Sequence, residues 1–386
     1  MEKPYVVGLY EHPTRRCPEK STAQLHAEVA KGALEDAGLT LDDVDGYFCA
    51  GDAPGMGPAT MAEYLGLRNL RFLDGAESGG SAYVLHLHHA AAAIARGRCD
   101  VALITMADRP IGGGVGTKLA GLDMDSMPDV PFGGMFPPAM VGHYAAVAMR
   151  HMHEFGTTSE QLAWVKVAAS HHAQHNPHAL LRNVVSVEDV LASPLVATPL
   201  HRLDCCVVTD GGGAIILARP EIARRLKQPR VKLAGMAEAM KHRNGGKIDL
   251  SFSAARYSAP AAFDEAGVTP ADIKYVSLYD SFTITVIMQL EDLGFCEKGQ
   301  GGPFVADGNL ISGVGTLPFN TDGGGLCSNH PGNRGGMTKI LEAVRQARGQ
   351  AHPAVQVPDH ALTLAHGTGG SLASYHVAAT AIFEAE

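Results

Sequence analysis

Three residues of this 386-residue chain combine titratable side chains with surroundings that could hold a ligand. His330 stands near the end of Asn320-Thr321-Asp322-Gly323-Gly324-Gly325-Leu326-Cys327-Ser328-Asn329-His330-Pro331-Gly332. Glycines let backbone approach a bound molecule closely and tolerate positive φ. A His in such a turn can exchange protons near neutral pH. His366 stands in Leu364-Ala365-His366-Gly367-Thr368-Gly369-Gly370. Tyr279 opens Tyr279-Asp280-Ser281-Phe282-Thr283-Ile284-Thr285. With a pKa of roughly 10, a tyrosine is a poor base at neutral pH but a serviceable hydrogen-bond donor or acid. That suits chemistry in which an alkoxide or enolate is stabilised or a hydroxyl is deprotonated.

The elements that must position these residues repeat along the chain. Ala33-Leu34-Glu35-Asp36-Ala37-Gly38-Leu39-Thr40 is echoed by Ala262-Phe263-Asp264-Glu265-Ala266-Gly267-Val268-Thr269. Both read as a helix ending at a Gly C-cap, then a polar turn and an apolar strand. A fainter echo pairs Gly79-Gly80, a helix to about 97 and a strand at 101–105 with Gly335-Gly336, a helix to about 349 and a strand at 361–364. Two echoes in the same order predict a duplicated α/β fold. Between the halves, residues 112–200 are rich in Gly, Pro, Met and His, with helical candidates at 138–154 and 159–175. This stretch is too long for an ordinary connection. The expected domains are therefore 1–111 with 201–230, an inserted loop domain at 112–200, and 231–386.

Composition narrows the function classes. The chain is 46% hydrophobic and only 18% charged, which suits a tightly packed α/β protein with extensive buried interfaces. A net charge of -9 leaves no electrostatic footprint for nucleic acid, and there is no basic cluster for an anionic membrane. No apolar run is long enough to cross a bilayer, and the N-terminus lacks an apolar signal core. Seven Cys without short repeated spacing fit reduced thiols, so a cytoplasmic location is expected. His86, His88 and His89, and His171, His172, His175 and His178, form two clusters without a recognised zinc pattern, and no metal site is expected. Gly112-Gly113-Gly114-Val115-Gly116 reads as a flexible loop, not a nucleotide signature.

The His330 stretch resembles the Gly-His-Pro block of thiolases, above all the branch related to sterol carrier protein x and the bacterial lipid-transfer-type thiolases. Asn329 replaces the usual Gly before the His. The Tyr279 stretch, followed by Glu291-Asp292-Leu293-Gly294-Phe295-Cys296, resembles the His-Asp-Cys-Phe segment of that branch, with Tyr279 at the His and Ser281 at the Cys. His366 matches the His of a Gln-His-Asn segment, and Gly369 and Gly370 resemble the loop whose N–H groups serve an oxyanion. The resemblance covers nearly the whole chain, most closely from Asp204 onward. It implies a thiolase-like duplicated five-layer αβαβα fold with an inserted loop domain.

One position departs decisively. Where the branch usually reads Gly-Cys-Ala-Ser-Gly-Gly, with the Cys as nucleophile, this chain reads Gly75-Ala76-Glu77-Ser78-Gly79-Gly80. A methyl group cannot form a thioester, so the Cys-dependent route is closed at Ala76 unless another residue substitutes. Ser78 falls on a familiar structural serine of the branch. Cys327 lies three residues before His330, though a small buried filler is the commoner fate of a free Cys. Glu77 is either a partner of the helix N-terminus or a catalytic group. Tyr375, nine residues after His366, is a further tyrosine with an ordinary structural reading.

Some Cys-lacking relatives in this branch are retro-aldolases in which tyrosines do acid–base work. The resemblance therefore implies carbon–carbon bond cleavage or formation at the β-position of an acyl-CoA without an acyl-enzyme, above all retro-aldol cleavage of a β-hydroxyacyl-CoA. His330 and backbone N–H groups would hold the thioester enolate, and His366 or Tyr279 would handle protons. No cofactor is implied beyond CoA as part of the substrate. The alternatives are an acyl-CoA C-acyltransferase with a substitute nucleophile and a non-catalytic acyl-CoA-binding partner subunit. The implied partners are a second copy of the chain, as a homodimer, and a small OB-fold acyl-CoA-binding protein.

Overall fold

The two halves share one helix–turn–strand unit, as the first echo predicts. Helix α1 (Thr22–Ala37) ends on Gly38 at φ 70°, and a turn in which the Asp43 carboxylate accepts from the Thr40 backbone N–H leads to β2 (Gly46–Phe48). The second unit repeats this with Gly267 at φ 71°, Asp272 accepting from Thr269, and the strand Tyr275–Leu278. The left-handed C-cap is the conformation that glycine adopts without penalty. The repeat extends to packing. A Cβ on Gly8 would lie 2.4 Å from the Ala33 carbonyl oxygen, and one on Gly235 would lie 2.2 Å from that of Ala262. Each half thus seats its helix directly on a strand through a Gly–Ala contact, which is what the Gly- and Ala-rich composition provides.

The computed structural model describes residues 3–112, 140–242, 244, 247–332, 335–371 and 374–386, with Ser371, Ser374 and Tyr375 described by backbone alone. The remaining strands are β1 (Tyr5–Glu11), β3 (Phe72–Asp74), β4 (Val101–Asp108), β5 (Leu195–Ala197), β6 (Leu200–His201), β7 (Gly211–Ala218), β8 (Val231–Lys241), β9 (Tyr275–Leu278), β10 (Leu362–Ser371) and β11 (Ser374–Ala385). The other longer helices are α2 (Pro58–Leu65), α3 (Ala82–Ala95), α4 (Met140–Phe155), α5 (Ser159–Ala173), α6 (Ala255–Ala266), α7 (Thr283–Asp292) and α8 (Gly336–Ala347). The helices expected over 138–154 and 159–175 are observed as α4 and α5; the glycine-rich reading of residues 113–116 lies outside the described residues.

The large sheet runs β3-β2-β4-β7-β1-β8-β11-β10-β9. Its halves have matching order: a parallel pair, β2–β4 or β9–β10, then two antiparallel steps inward to β1 or β8. The halves join where Tyr5 and Val6 pair antiparallel with Lys232 and Val231. Helices α3 and α8 form the central layer. Val84, Leu87, Ile340 and Leu341 from these helices cluster with Ile104 and Ile215 of one half-sheet and Ala365 and Phe383 of the other. On one outer face, Val29 and Ala33 of α1 pack with Leu103 and Ile216. On the other, Ala259 and Phe263 of α6 and Ile287 of α7 pack with Val276 and Leu364, and α4 and α5 join that core. The layers are α, β, α, β, α, the expected five-layer fold.

Candidate functional site

Strand β9 delivers Tyr279 and Asp280 to the end of the sheet, where Asp280 organises the glycine-rich turn. Its carboxylate accepts from the backbone N–H groups of Gly325 at 2.8 Å and Leu326 at 3.0 Å, and it pairs with Lys339 Nζ of α8 at 2.7 Å. Both charges are fully buried. Burial alone would raise the Asp280 pKa; the Lys339 ammonium and the two N–H groups hold it below the usual carboxylate value. Residues Gly324–Ser328 form a wide π-type turn around this carboxylate. Gly324 has φ 59°, and a Cβ there would lie 2.2 Å from Asp280 Oδ2, so both backbone and space demand glycine. The other half carries a similar link, in which the Tyr83 hydroxyl of α3 donates to Asp52.

This turn delivers His330 to Tyr279. The two rings meet edge to face with centroids 5.4 Å apart at 71°. Glycines make room for the pair. A Cβ on Gly335 would lie 3.0 Å from both rings, and one on Gly80 would lie 2.4 Å from the Tyr279 ring. Gly80 belongs to the short turn Gly79–Ser81 that leads into α3. Burial lowers the His330 pKa to about 4, with Asp280 opposing and Lys339 adding to that shift. Burial thus favours the neutral ring. Its Nε2 is buried without a hydrogen-bond partner among the described residues.

His366 stands elsewhere. Its carbonyl accepts from the Tyr279 backbone N–H at 3.0 Å, but its ring lies on the opposite face of β10 from Gly367 and Gly369. There Nδ1 meets Thr380 Oγ1 at 2.9 Å, and Thr380 meets Ser258 of α6 at 2.9 Å. Burial and nearby His376 lower its pKa to about 3. Strand alternation thus separates this ring from the face that Tyr279 and His330 share.

The remaining candidates have clear structural surroundings. The exposed Glu77 carboxylate accepts from Gly51 N–H at 2.7 Å and Gly79 N–H at 2.6 Å, stitching two loops together ahead of α3. The Ser78 hydroxyl is bonded by Ser81, and its carbonyl abuts Gly369 so closely that a Cβ there would lie 1.6 Å away. Gly370 has φ 71° and lies against Gly79. The Cys327 thiol is in the hydrophobic core, where burial raises its pKa. Tyr375 lies on β11, and its side chain is outside the described residues. Of the histidine clusters, His86 is packed against Phe48 and Tyr83, and His89 pairs with Asp74 and Glu238.

Reading the sequence alone did not single out Asp280 or Lys339. Asp280 sits inside a quoted motif, but its partner Lys339 lies 59 residues away on another helix. The available signal was a Lys beside the apolar residues Met337, Ile340 and Leu341 of one helix. Among the described residues, no three His, Cys, Asp or Glu side chains converge as a metal site would require, and no helix is long and apolar enough to cross a membrane.

Comparison with known proteins shows the family and the fold. Residues 237–384 match the family described as thiolase C-terminal domain-like. The chain is 35% identical to a "Steroid side-chain-cleaving aldolase" of Thermomonospora curvata over 351 residues, covering 86% of each chain. It is 32% identical to an "Acetyl-CoA acetyltransferase" of Methanothermobacter thermautotrophicus, covering 95% of this chain and 96% of that one. Among solved structures, an "Ltp2-ChsH2(DUF35) aldolase" superposes with a TM-score of 0.87 at 30% identity, covering 99% of this chain and 98% of the other.

Proposed function

This chain belongs to the thiolase superfamily, in the branch of the sterol-carrier-type thiolases and their aldolase relatives, and on that premise we propose that it cleaves β-hydroxyacyl-CoA by a retro-aldol reaction without an acyl-enzyme. It is a thiolase-like carbon–carbon lyase. Sequence similarity alone spans both aldolase and acyltransferase names. The feature that carries the lyase reading is Ala76, a methyl group where the thiolases that this stretch resembles carry the nucleophilic thiol; the Tyr279–His330 pair is formed.

In the proposed reaction a base takes the β-hydroxyl proton and the Cα–Cβ bond breaks. The bonding electrons pass into the thioester enolate, and the β-carbon leaves as an aldehyde or ketone. Protonation at Cα then releases the shortened acyl-CoA. His330 Nε2 and backbone N–H groups at Gly369–Gly370 hold the enolate oxygen, donors that matter most as charge develops. Tyr279 moves the proton. The reading requires no metal or redox cofactor, and CoA enters as part of the substrate.

An acyltransferase with a substitute nucleophile finds less support. Cys327 is buried with a raised pKa, which disfavours the thiolate. The aldolase found among solved structures is named with a DUF35 partner. We extend this to the present chain as a small acyl-CoA-binding partner, expected to be an OB-fold protein. We also propose a homodimer: β3 ends the sheet, and Leu73 on it is exposed. The test is product analysis of purified protein, alone and with its partner, given β-hydroxyacyl-CoA. Release of an aldehyde or ketone and a shortened acyl-CoA without added free CoA supports the lyase. A strict requirement for free CoA overturns it.

A further inference from the structure

We propose that Asn329 is a positioning residue that, acting through Thr209, fixes where the His330 ring stands against Tyr279. A directional chain of hydrogen bonds carries the inference. The His330 backbone N–H donates to Thr209 Oγ1 at 2.9 Å. That hydroxyl gives its one proton to Asn329 Oδ1 at 2.8 Å. Asn329 Nδ2 donates to Glu11 Oε1 at 2.9 Å. Each polarity is forced. A backbone N–H only donates, a hydroxyl has one proton, and an ionised carboxylate only accepts.

The chain ends on a fixed acceptor. Glu11 is buried, which by itself would raise its pKa, but Arg15 and Arg345 outweigh burial and hold it at about 2. Arg15 bonds Glu11 Oε1 at 2.9 Å and Arg345 bonds Oε2 at 3.0 Å. Thr209 and Asn329 are both fully buried. Buried polar chains of this kind rigidify when every member is satisfied.

Two further features show that the site is built around this asparagine. Its backbone is extended, with φ -149°, so residue 329 makes no demand for glycine. Gly211, which opens β7, leaves the space: a Cβ there would sit 3.1 Å from Asn329 Oδ1. A glycine at 329, usual in the proteins this stretch resembles, would abolish the link from Glu11 to Thr209. The His330 ring meets Tyr279 by an edge contact, and its Nε2 has no partner among the described residues. The ring also bonds backbone at Gly332, so its placement depends on how this stretch of backbone is anchored.

The proposal rests on the role given to His330 above, so the test reads position as well as rate. Thr209→Val removes the hydroxyl at nearly constant shape, Thr209→Ser keeps it, and Asn329→Ala breaks the chain one link further on. Crystal structures should show the His330 ring shifted from Tyr279 in Thr209→Val and in Asn329→Ala, and unshifted in Thr209→Ser. With β-hydroxyacyl-CoA, kcat should fall by about 10- to 100-fold in the first two with KM little changed, the size of effect that sub-ångström misplacement produces. Thr209→Ser should stay within about threefold of the parent. A ring in its parental position in both disrupting variants overturns the proposal, whatever the rates. A parent that cleaves no β-hydroxyacyl-CoA overturns the functional reading instead, and the ring positions still decide the role of Asn329. If Thr209→Val does not fold, Asn329→Ala carries the same comparison.

Discussion

The ring of Tyr279 stands edge-on to the ring of His330, 5.4 Å between centroids, while His366, bonded to the Tyr279 backbone through its carbonyl, turns its own ring to the opposite face of the sheet. The three residues proposed from sequence as one constellation are thus a pair and a third residue behind them. The side chains at the end of β9 and after the glycine-rich turn are the ones placed to act together.

Tyr279→Phe keeps the ring against Gly80 and removes only the hydroxyl. If that hydroxyl moves the proton, kcat should fall by about 10²-fold or more with the melting temperature barely changed. His330→Ala should cost on the order of 10²–10³ in rate, the usual effect of removing one oxyanion donor. Steady-state kinetics with melting curves checks both. Activity for Tyr279→Phe within about threefold of the parent would make the tyrosine structural.

His366→Ala should act on stability instead. It removes a buried ring and its bond to Thr380, which continues to Ser258. A loss of about 2–4 kcal/mol is expected from the cavity and the severed hydrogen bond, with kcat per folded molecule changed by less than about tenfold. Denaturant melts and kinetics on the same preparation separate the two effects. A strong fall in kcat without destabilisation would return His366 to the reaction.

Lys339→Met should be severely destabilising. It leaves the buried Asp280 carboxylate without its cation, at a typical cost of about 3–5 kcal/mol. Asp280→Asn combined with Lys339→Met removes both charges and should recover part of that loss. Chemical denaturation of the single and double variants tests this, and additive losses would contradict the pairing.

Acid should destabilise the fold well above the ordinary carboxylate range. Burial lowers the pKa of His86, His330 and His376 to about 4, and of His172 and His366 to about 3, against an ordinary 6.5. Between pH 6.5 and 4 the unfolded chain binds protons at these histidines that the folded chain does not. Their contribution to stability is therefore full above about pH 6.5 and is lost as the pH falls. Glu342, raised by burial to about 7, and Asp204, Asp292 and Asp322, which burial also raises, act in the opposite sense, while His175 adds to the lowered histidines. The melting temperature should drop steadily from about pH 7 to about pH 4.5. A flat profile would contradict the burial of these rings.

Much of the fold was legible because the duplication is written in local signals. Gly38 and Gly267 mark helix ends, Thr40 and Thr269 mark turns, and both pairs carry the same backbone geometry in the structure. The glycines around His330 were legible as a turn for the same local reason. The Lys339–Asp280 pair and the face on which His366 points were not. The first joins residues far apart in sequence. The second depends on the register of β10 with β9, in which His366 sits opposite Leu278 and so faces away from the next residue, Tyr279. The lowered pKa of His330 was hidden as well, because it follows from burial by chains that meet only in the folded molecule.

The central claim is that carbon–carbon cleavage proceeds here without a covalent acyl-enzyme, since Ala76 aligns with the nucleophilic Cys of the thiolases that this stretch resembles. Its most direct test is the intact mass of the protein during turnover of β-hydroxyacyl-CoA and after incubation with the shortened acyl-CoA product. The account predicts the unmodified mass of the 40.5 kDa chain at every time point while the aldehyde or ketone accumulates. A stoichiometric acyl adduct, mapped to Cys327 or Ser78 and discharged by free CoA, would contradict it.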